Sequence, residues 1–159
     1  MIVVADTSPL NYLIQIHCDH VLPRLYRKVL VPVGVIEEWR SPKAPLSIKS
    51  WVEVTPDWSE IHPLASSAQP ELGYLDRGER EAIQVAEERG ARLLLIDERK
   101  GRLEAARRGL STTGTLGVLL EAGEAGLIDL PHAYRVLIEQ TTLRTSPDLN
   151  DYFLRRIRK

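Results

Sequence analysis

The chain has 159 residues, of which 43% are hydrophobic and 27% charged, and its formal net charge is -1. That length accommodates one domain with a sizeable core, so a single domain over 1–159 is expected, and the near-neutral balance excludes binding to nucleic acid or an anionic membrane through bulk charge. Cys18 is the only cysteine, which excludes an internal disulfide and a cysteine-rich zinc site and fits a cytoplasmic protein; no apolar run is long enough for a signal peptide or a membrane span.

Ile2, Val3 and Val4 form a β-branched run that suits a strand buried on both faces of a parallel sheet, and the run leads into Asp6. Pro9 pre-sets a helix start, Thr7 or Ser8 can cap its free amides, and Leu10, Leu13 and Ile14 recur at helical spacing to about Ile16. Asp6 then belongs at the carboxyl end of a central strand, where open α/β sheets keep their sites, or else serves only as a turn residue or cap. Residues 17–28 carry a second helical stretch through Val21, Leu22 and Leu25. Val29, Leu30 and Val31 read as a second strand, and Pro32 opens a helix bearing Val35, Ile36 and Trp39. Trp51-Val52-Glu53-Val54 alternates and reads as an edge strand, and residues 56–70 as a long surface loop.

Beyond Leu75, Asp76 and Glu79 stand three apart ahead of a periodic run, a capping-box pattern, and Ile83, Ala86 and Gly90 follow on one stripe. Leu93, Leu94, Leu95 and Ile96 form a continuous apolar run ending at Asp97, which repeats the arrangement around Asp6. Leu103, Ala106 and Leu110 mark the apolar side of the helix after Asp97. A short strand at 111–113, a turn at Gly114-Thr115, a helix over 116–125 and two further helices opened by Pro131 and by Ser146-Pro147 complete the chain. Strands alternating with helices imply right-handed crossovers, hence a three-layer α/β/α sandwich with a parallel sheet of about five strands.

Asp6 and Asp97 thus end two buried strands, and helical spacing adds two more acids. Glu79 lies four residues before Ile83, on the stripe facing the sheet, whereas Glu81 points roughly opposite and reads as solvated; Glu38, three after Val35, leans to the apolar side and Glu37 does not. Each has a bland alternative: Glu79 closing the capping box with Asp76, Glu38 at a rim or paired with Arg40, Asp97 as an N-cap. Their convergence favours a shared role. Clustered carboxylates raise one another's pKa unless a cation neutralises them, and all-oxygen donors select Mg²⁺ or Mn²⁺. Such ions polarise phosphodiesters, so the chemistry implied is metal-assisted phosphodiester hydrolysis.

The phrase Asp6-Thr7-Ser8-Pro9-Leu10, then 32–38, Leu75-Asp76-Arg77-Gly78-Glu79-Arg80-Glu81-Ala82-Ile83, Leu94-Leu95-Ile96-Asp97, Gly101-Arg102, Gly109-Leu110 and Gly114-Thr115-Leu116-Gly117-Val118-Leu119 resembles the PIN-domain family, in particular its small prokaryotic VapC-like members. The resemblance covers nearly the whole chain. It implies a five-stranded parallel sheet and cleavage of single-stranded RNA dependent on Mg²⁺ or Mn²⁺. Asp6, Glu38, Glu79 and Asp97 match the family's acidic quartet as catalytic and metal-holding residues, with the hydroxyls of Thr7 or Ser8, and Thr115, beside them. Many relatives are toxins held by a small antitoxin and commonly dimeric, so an antitoxin partner and a homodimer are expected. Glu79 stands where many PIN enzymes carry Asp, and its longer reach leaves room for an intervening water.

Arg99, Lys100 and Arg102 begin beside Asp97 and are candidates to hold RNA phosphates, whereas Arg155, Arg156, Arg158 and Lys159 read as a solvated helix face. Trp39, Trp51, Trp58 and Tyr74 suit base stacking or, for most of them, the core. The four histidines follow no metal or triad spacing. No Gly-x-Ser-x-Gly elbow or glycine-rich turn after the first strand supports a serine hydrolase or a dinucleotide site. The competing reading is a catalytically silent PIN-like module that binds RNA or protein.

Overall fold

A computed structural model describes residues 1–157; Arg158 and Lys159 of the C-terminal basic cluster lie outside the described residues. The elements in order are β1 (Val3–Ala5), α1 (Thr7–Gln15), α2 (Val21–Tyr26), β2 (Val29–Pro32), α3 (Val33–Trp39), α4 (Leu46–Glu53), β3 (Ser59–His62), α5 (Arg77–Arg89), β4 (Leu93–Leu95), α6 (Arg99–Arg107), β5 (Thr112–Thr113), α7 (Thr115–Glu124), α8 (Leu130–Gln140) and α9 (Pro147–Ile157), with a 3-10 turn at Pro70–Leu72. The strands form one sheet in the order β3-β2-β1-β4-β5, every pair parallel.

The sheet is covered on both faces because successive residues of its central strands point to opposite sides. Val3, Ala5, Val29, Val31 and Leu95 join Leu10, Leu13, Val118, Leu119 and Phe153 in one core. Val4, Leu30, Leu94 and Ile96 join Ala82, Ile83, Val85, Ala86 and Ala105 in the other. Helices α5 and α6 therefore cover one face, and α1–α4 and α7–α9 the other, which gives the expected three layers.

Three elements depart from the expected pattern. Residues 51–54 are not an edge strand: Pro45 stands at the N-cap of α4, which buries Ile48 and Trp51 three residues apart, so helical spacing outweighs the local alternation. The edge strand is instead β3, inside the stretch read as a loop; its Ser59–His62 residues are all half-buried, and it pairs Leu30 with Glu60 and Val31 with Ile61. In α6, Leu103 is 48% exposed, and the buried side is Gly101 and Ala105, since the helix approaches Ile96 too closely for a larger side chain.

Chain direction sets the position of the site. From β1 the chain winds outward through β2 and β3, then returns to build β4 and β5 on β1's other side. The β1–β4 junction is the point where the winding reverses, and the crevice beyond the carboxyl ends of those strands is where such sheets bind ligands. Among the described residues no helix is long and apolar enough to cross a membrane.

Candidate active site

Asp6 follows β1 directly and Asp97 lies two residues beyond β4. Ala5 pairs with Leu95, and the Asp6 amide donates to the Leu95 carbonyl at 2.9 Å, so both aspartates occupy the same end of neighbouring strands. Asp6 stands at the N-cap of α1, yet no side chain caps that helix, neither Asp6 nor the expected Thr7 or Ser8. Its carboxylate is only 2% exposed, and Oδ1 has no hydrogen-bond partner.

Asp97 does not cap its own helix, since Glu98 holds that position. Its carboxylate instead accepts the Thr115 amide on Oδ1 and the Thr115 hydroxyl on Oδ2, both at 2.7 Å. The start of α7 thereby holds the Asp97 carboxylate through two bonds.

Glu79 projects from the first turn of α5. Asp76 caps that helix by accepting the Glu79 amide at 2.9 Å, so half of the capping box is present. The Glu79 carboxylate is itself buried, with Oε2 unpartnered. Glu38, on the last turn of α3, is more exposed, and its Oε2 accepts the Thr7 hydroxyl at 3.2 Å, which ties it to the residue next to Asp6. Ser8 lines a cleft with Asp97.

The electrostatics follow from burial and crowding. Burial, against the opposing Thr7 amide and with the neighbouring charges of Asp76, Asp97 and Glu38, pushes Asp6 up to about 7. Burial and a contact with Asp76 push Glu79 up to about 8. Asp97 is also raised by burial, with Thr115 and Arg102 opposing the shift. Carboxyls that hold protons near neutrality are suited to releasing them to a cation.

The spaces beside these acids are kept open by glycine. A Cβ on Gly78 would lie 2.9 Å from Asp6 Oδ1, on Gly101 2.7 Å from Glu79 Oε2, and on Gly114 2.5 Å from Asp97 Oδ1. Two orphaned buried oxygens, all-oxygen donors and a glycine against each of three acids fit a hard divalent cation, which Asp6, Glu79 and Asp97 would hold with Glu38 at the rim. Among the described residues no three such side chains already stand in ligating geometry, so binding requires rotamer adjustment or bridging waters.

Two acids depart from the sequence reading. Asp76, read only as a cap, is a fifth carboxylate whose charge acts on both Asp6 and Glu79. Its place one turn before Glu79, at a helix start pointing into the site, was the available signal. Glu81 is not solvated. It is 9% exposed, accepts the Gly34 amide at 2.9 Å and Arg77 Nε at 2.7 Å, and so joins α5 to the start of α3.

Of the basic residues, Arg99 and Arg102 line the cleft at Asp97, while Arg99 and Lys100 line a second one at Glu79. Trp39 and Trp51 are core residues, packed edge to face with ring centroids 5.8 Å apart.

A family model described as a PIN domain matches residues 2–159. Among solved structures, a PilT N-terminus domain protein from the hyperthermophilic archaeon Sulfolobus solfataricus P2 is similar with a TM-score of 0.54 and 15% identity, over 91% of this chain and 100% of that one. At that identity the likeness speaks for the fold alone. No curated protein matches the chain.

Proposed function

The chain belongs to the PIN-domain family, whose members are generally nucleases, and from that premise we propose that it is a Mg²⁺- or Mn²⁺-dependent ribonuclease hydrolysing phosphodiester bonds of single-stranded RNA. One observation carries the reading: Asp6 Oδ1 and Glu79 Oε2 are buried, close enough for the Asp6 charge to act on Glu79, and without a hydrogen-bond partner among the described residues. A buried carboxylate oxygen without a partner costs on the order of 1–3 kcal/mol or more, a cost that a bound cation removes.

In this reading Asp6, Glu79 and Asp97 would hold the ion, which when bound would supply Lewis acidity at the phosphodiester. Glu38, exposed and fastened by Thr7, is placed to accept a proton from an attacking water. Thr115 holds the Asp97 carboxylate and opposes the rise that burial imposes on it. Arg99 and Arg102 carry positive charge to the edge of the site, where phosphates would arrive.

Single-stranded RNA incubated with the protein and Mn²⁺ tests the proposal, with EDTA and Asp6→Asn as controls. Cleavage that needs Mn²⁺ and disappears in the variant is expected; no cleavage by purified, inhibitor-free protein, or equal cleavage by Asp6→Asn, ends the reading. The resemblance to VapC-like proteins further supports a cytoplasmic toxin, homodimeric and held by a small antitoxin. Growth arrest on expression, relieved by the product of an adjacent small gene, is the corresponding test.

The absence of a ready-made three-ligand geometry favours a second reading, a catalytically silent module that binds RNA or protein. Mn²⁺ titration separates the two, because a silent module shows no binding that Asp6→Asn abolishes.

A further inference from the structure

Two clefts flank the acids and share Glu98 and Arg99 as a common wall. One, of about 610 Å³, takes in Asp76, Glu79, Tyr74 and Lys100. The other, of about 570 Å³, begins at Asp97 and Gly114 and runs out to the α8–α9 connection and α9, where Arg144 and Tyr152 line it. Arg99, Arg102 and Arg144 all face it, and among the described residues none of the three is in an ion pair. Glu98 is its one acid besides Asp97.

Tyr152 is 51% exposed, a large aromatic surface left in water. The Arg156 guanidinium lies over its ring at 5.7 Å and is itself paired with Glu124 at 3.1 Å. Unpaired cations at successive positions along a channel match a ligand with repeated negative charge. An exposed aromatic ring among them matches a ligand with flat apolar faces between those charges. Both properties belong to a single-stranded nucleic acid.

We propose that this cleft holds the segment of RNA leading away from the Asp97 side of the acids, with Arg102 and Arg144 against its phosphates and Tyr152 beneath a base. The identity of the strand as substrate rests on the ribonuclease reading; the binding itself is measured apart from cleavage. Arg144 and Tyr152 come from the last third of the chain, far in sequence from every acid, so the C-terminal helix serves as one bank of the substrate path.

The test is the binding of a labelled RNA of about six nucleotides to the full chain in EDTA, followed by anisotropy over a range of salt. Arg144→Ala should weaken binding roughly 10-fold and lower the slope of log affinity against log salt by about one, as expected for a lost phosphate contact. Tyr152→Ala should weaken it roughly 5-fold or more with the slope unchanged, and Tyr152→Phe should restore it. Both side chains are exposed, so unchanged melting temperatures are expected and checked. Wild-type affinity in both alanine variants overturns the proposal, as does weakening by Tyr74→Ala alone, which would route the strand through the other cleft, or an absence of RNA binding altogether. Adding Mn²⁺ separates the two readings. Weakened variants with no cleavage by wild type leave the cleft standing and remove the ribonuclease; cleavage indifferent to Arg144 and Tyr152 does the reverse.

Discussion

Thr115 grips Asp97 from two directions, its amide on one carboxylate oxygen and its hydroxyl on the other, each at 2.7 Å. The threonine is fully buried. These contacts oppose the rise that burial imposes on Asp97. Thr115→Val keeps the shape and loses the hydroxyl. It should lower stability by about 1.5–3 kcal/mol near pH 8, the cost of a bond to a charged group, and lower cleavage about 10-fold. Thr115→Ser should keep most of both. Thermal melts and initial rates of RNA cleavage check the pair; equal rates in the valine variant would remove Thr115 from the site.

Asp6 makes the metal-free protein sensitive to pH in the direction opposite to a salt-bridged acid. An aspartate of the unfolded chain ionises near 3.8, whereas folded Asp6 keeps its proton to about 7. Folding therefore takes up a proton between those values, so stability is complete below about pH 4 and falls as pH rises through 7. Glu79, raised to about 8, extends the fall upward. Asp6→Asn removes its share of the cost. In EDTA at pH 8 it should be more stable than wild type by on the order of 2 kcal/mol, with the difference vanishing near pH 4. Melts across that range decide it. A variant less stable at pH 8 would mean that the Asp6 charge is already compensated within the protein.

The central strands were legible because burial on both faces leaves an unbroken apolar run, as in Leu93 to Ile96, and the acid after each run then had one place to go. The edge strand was not, since Ser59–His62 is only half-buried and its Ser59, Glu60 and His62 leave no apolar run. Residues 51–54 misled because four alternating positions also fit the end of a helix whose anchor, Ile48, lies earlier. Glu81 was misplaced for a different reason. Helical periodicity identifies the face towards the sheet, but α5 also abuts α3, and a second buried face can hold an acid when an amide and a guanidinium satisfy it. Asp76 shows the same limit: the cap was readable, while the field it exerts on Asp6 exists only after folding.

The Arg77–Glu81 pair should matter for stability, and the Arg77–Glu37 pair should not. Glu81 is buried, and its loss leaves the Gly34 amide of α3 unsatisfied, whereas Glu37 is exposed. Glu81→Ala is expected to cost about 2 kcal/mol and Glu37→Ala less than about 0.5 kcal/mol. Because α3 carries Glu38, the first variant should also weaken cleavage at temperatures well below its melt. Denaturant titrations of both variants, compared at equal fraction folded, separate the two effects.

Gly78 gives a direct test of whether an ion is held beside Asp6. It lies in the first turn of α5, where alanine would otherwise stabilise the helix by up to about 1 kcal/mol. Its Cβ, however, would lie 2.6 Å from Thr7 Oγ1 and 2.9 Å from Asp6 Oδ1, in the space the acids leave open. Wild type at a Mn²⁺ concentration about 100 times its dissociation constant gains roughly 2.7 kcal/mol of stability from binding. Gly78→Ala should lose most of that gain, since the added methyl displaces Thr7 or the carboxylate itself. Melting temperatures with Mn²⁺ and with EDTA give the comparison directly. A variant whose melt rises with Mn²⁺ as much as wild type would show that the ion sits away from Asp6, and the quartet would then need another explanation for its two unpartnered oxygens.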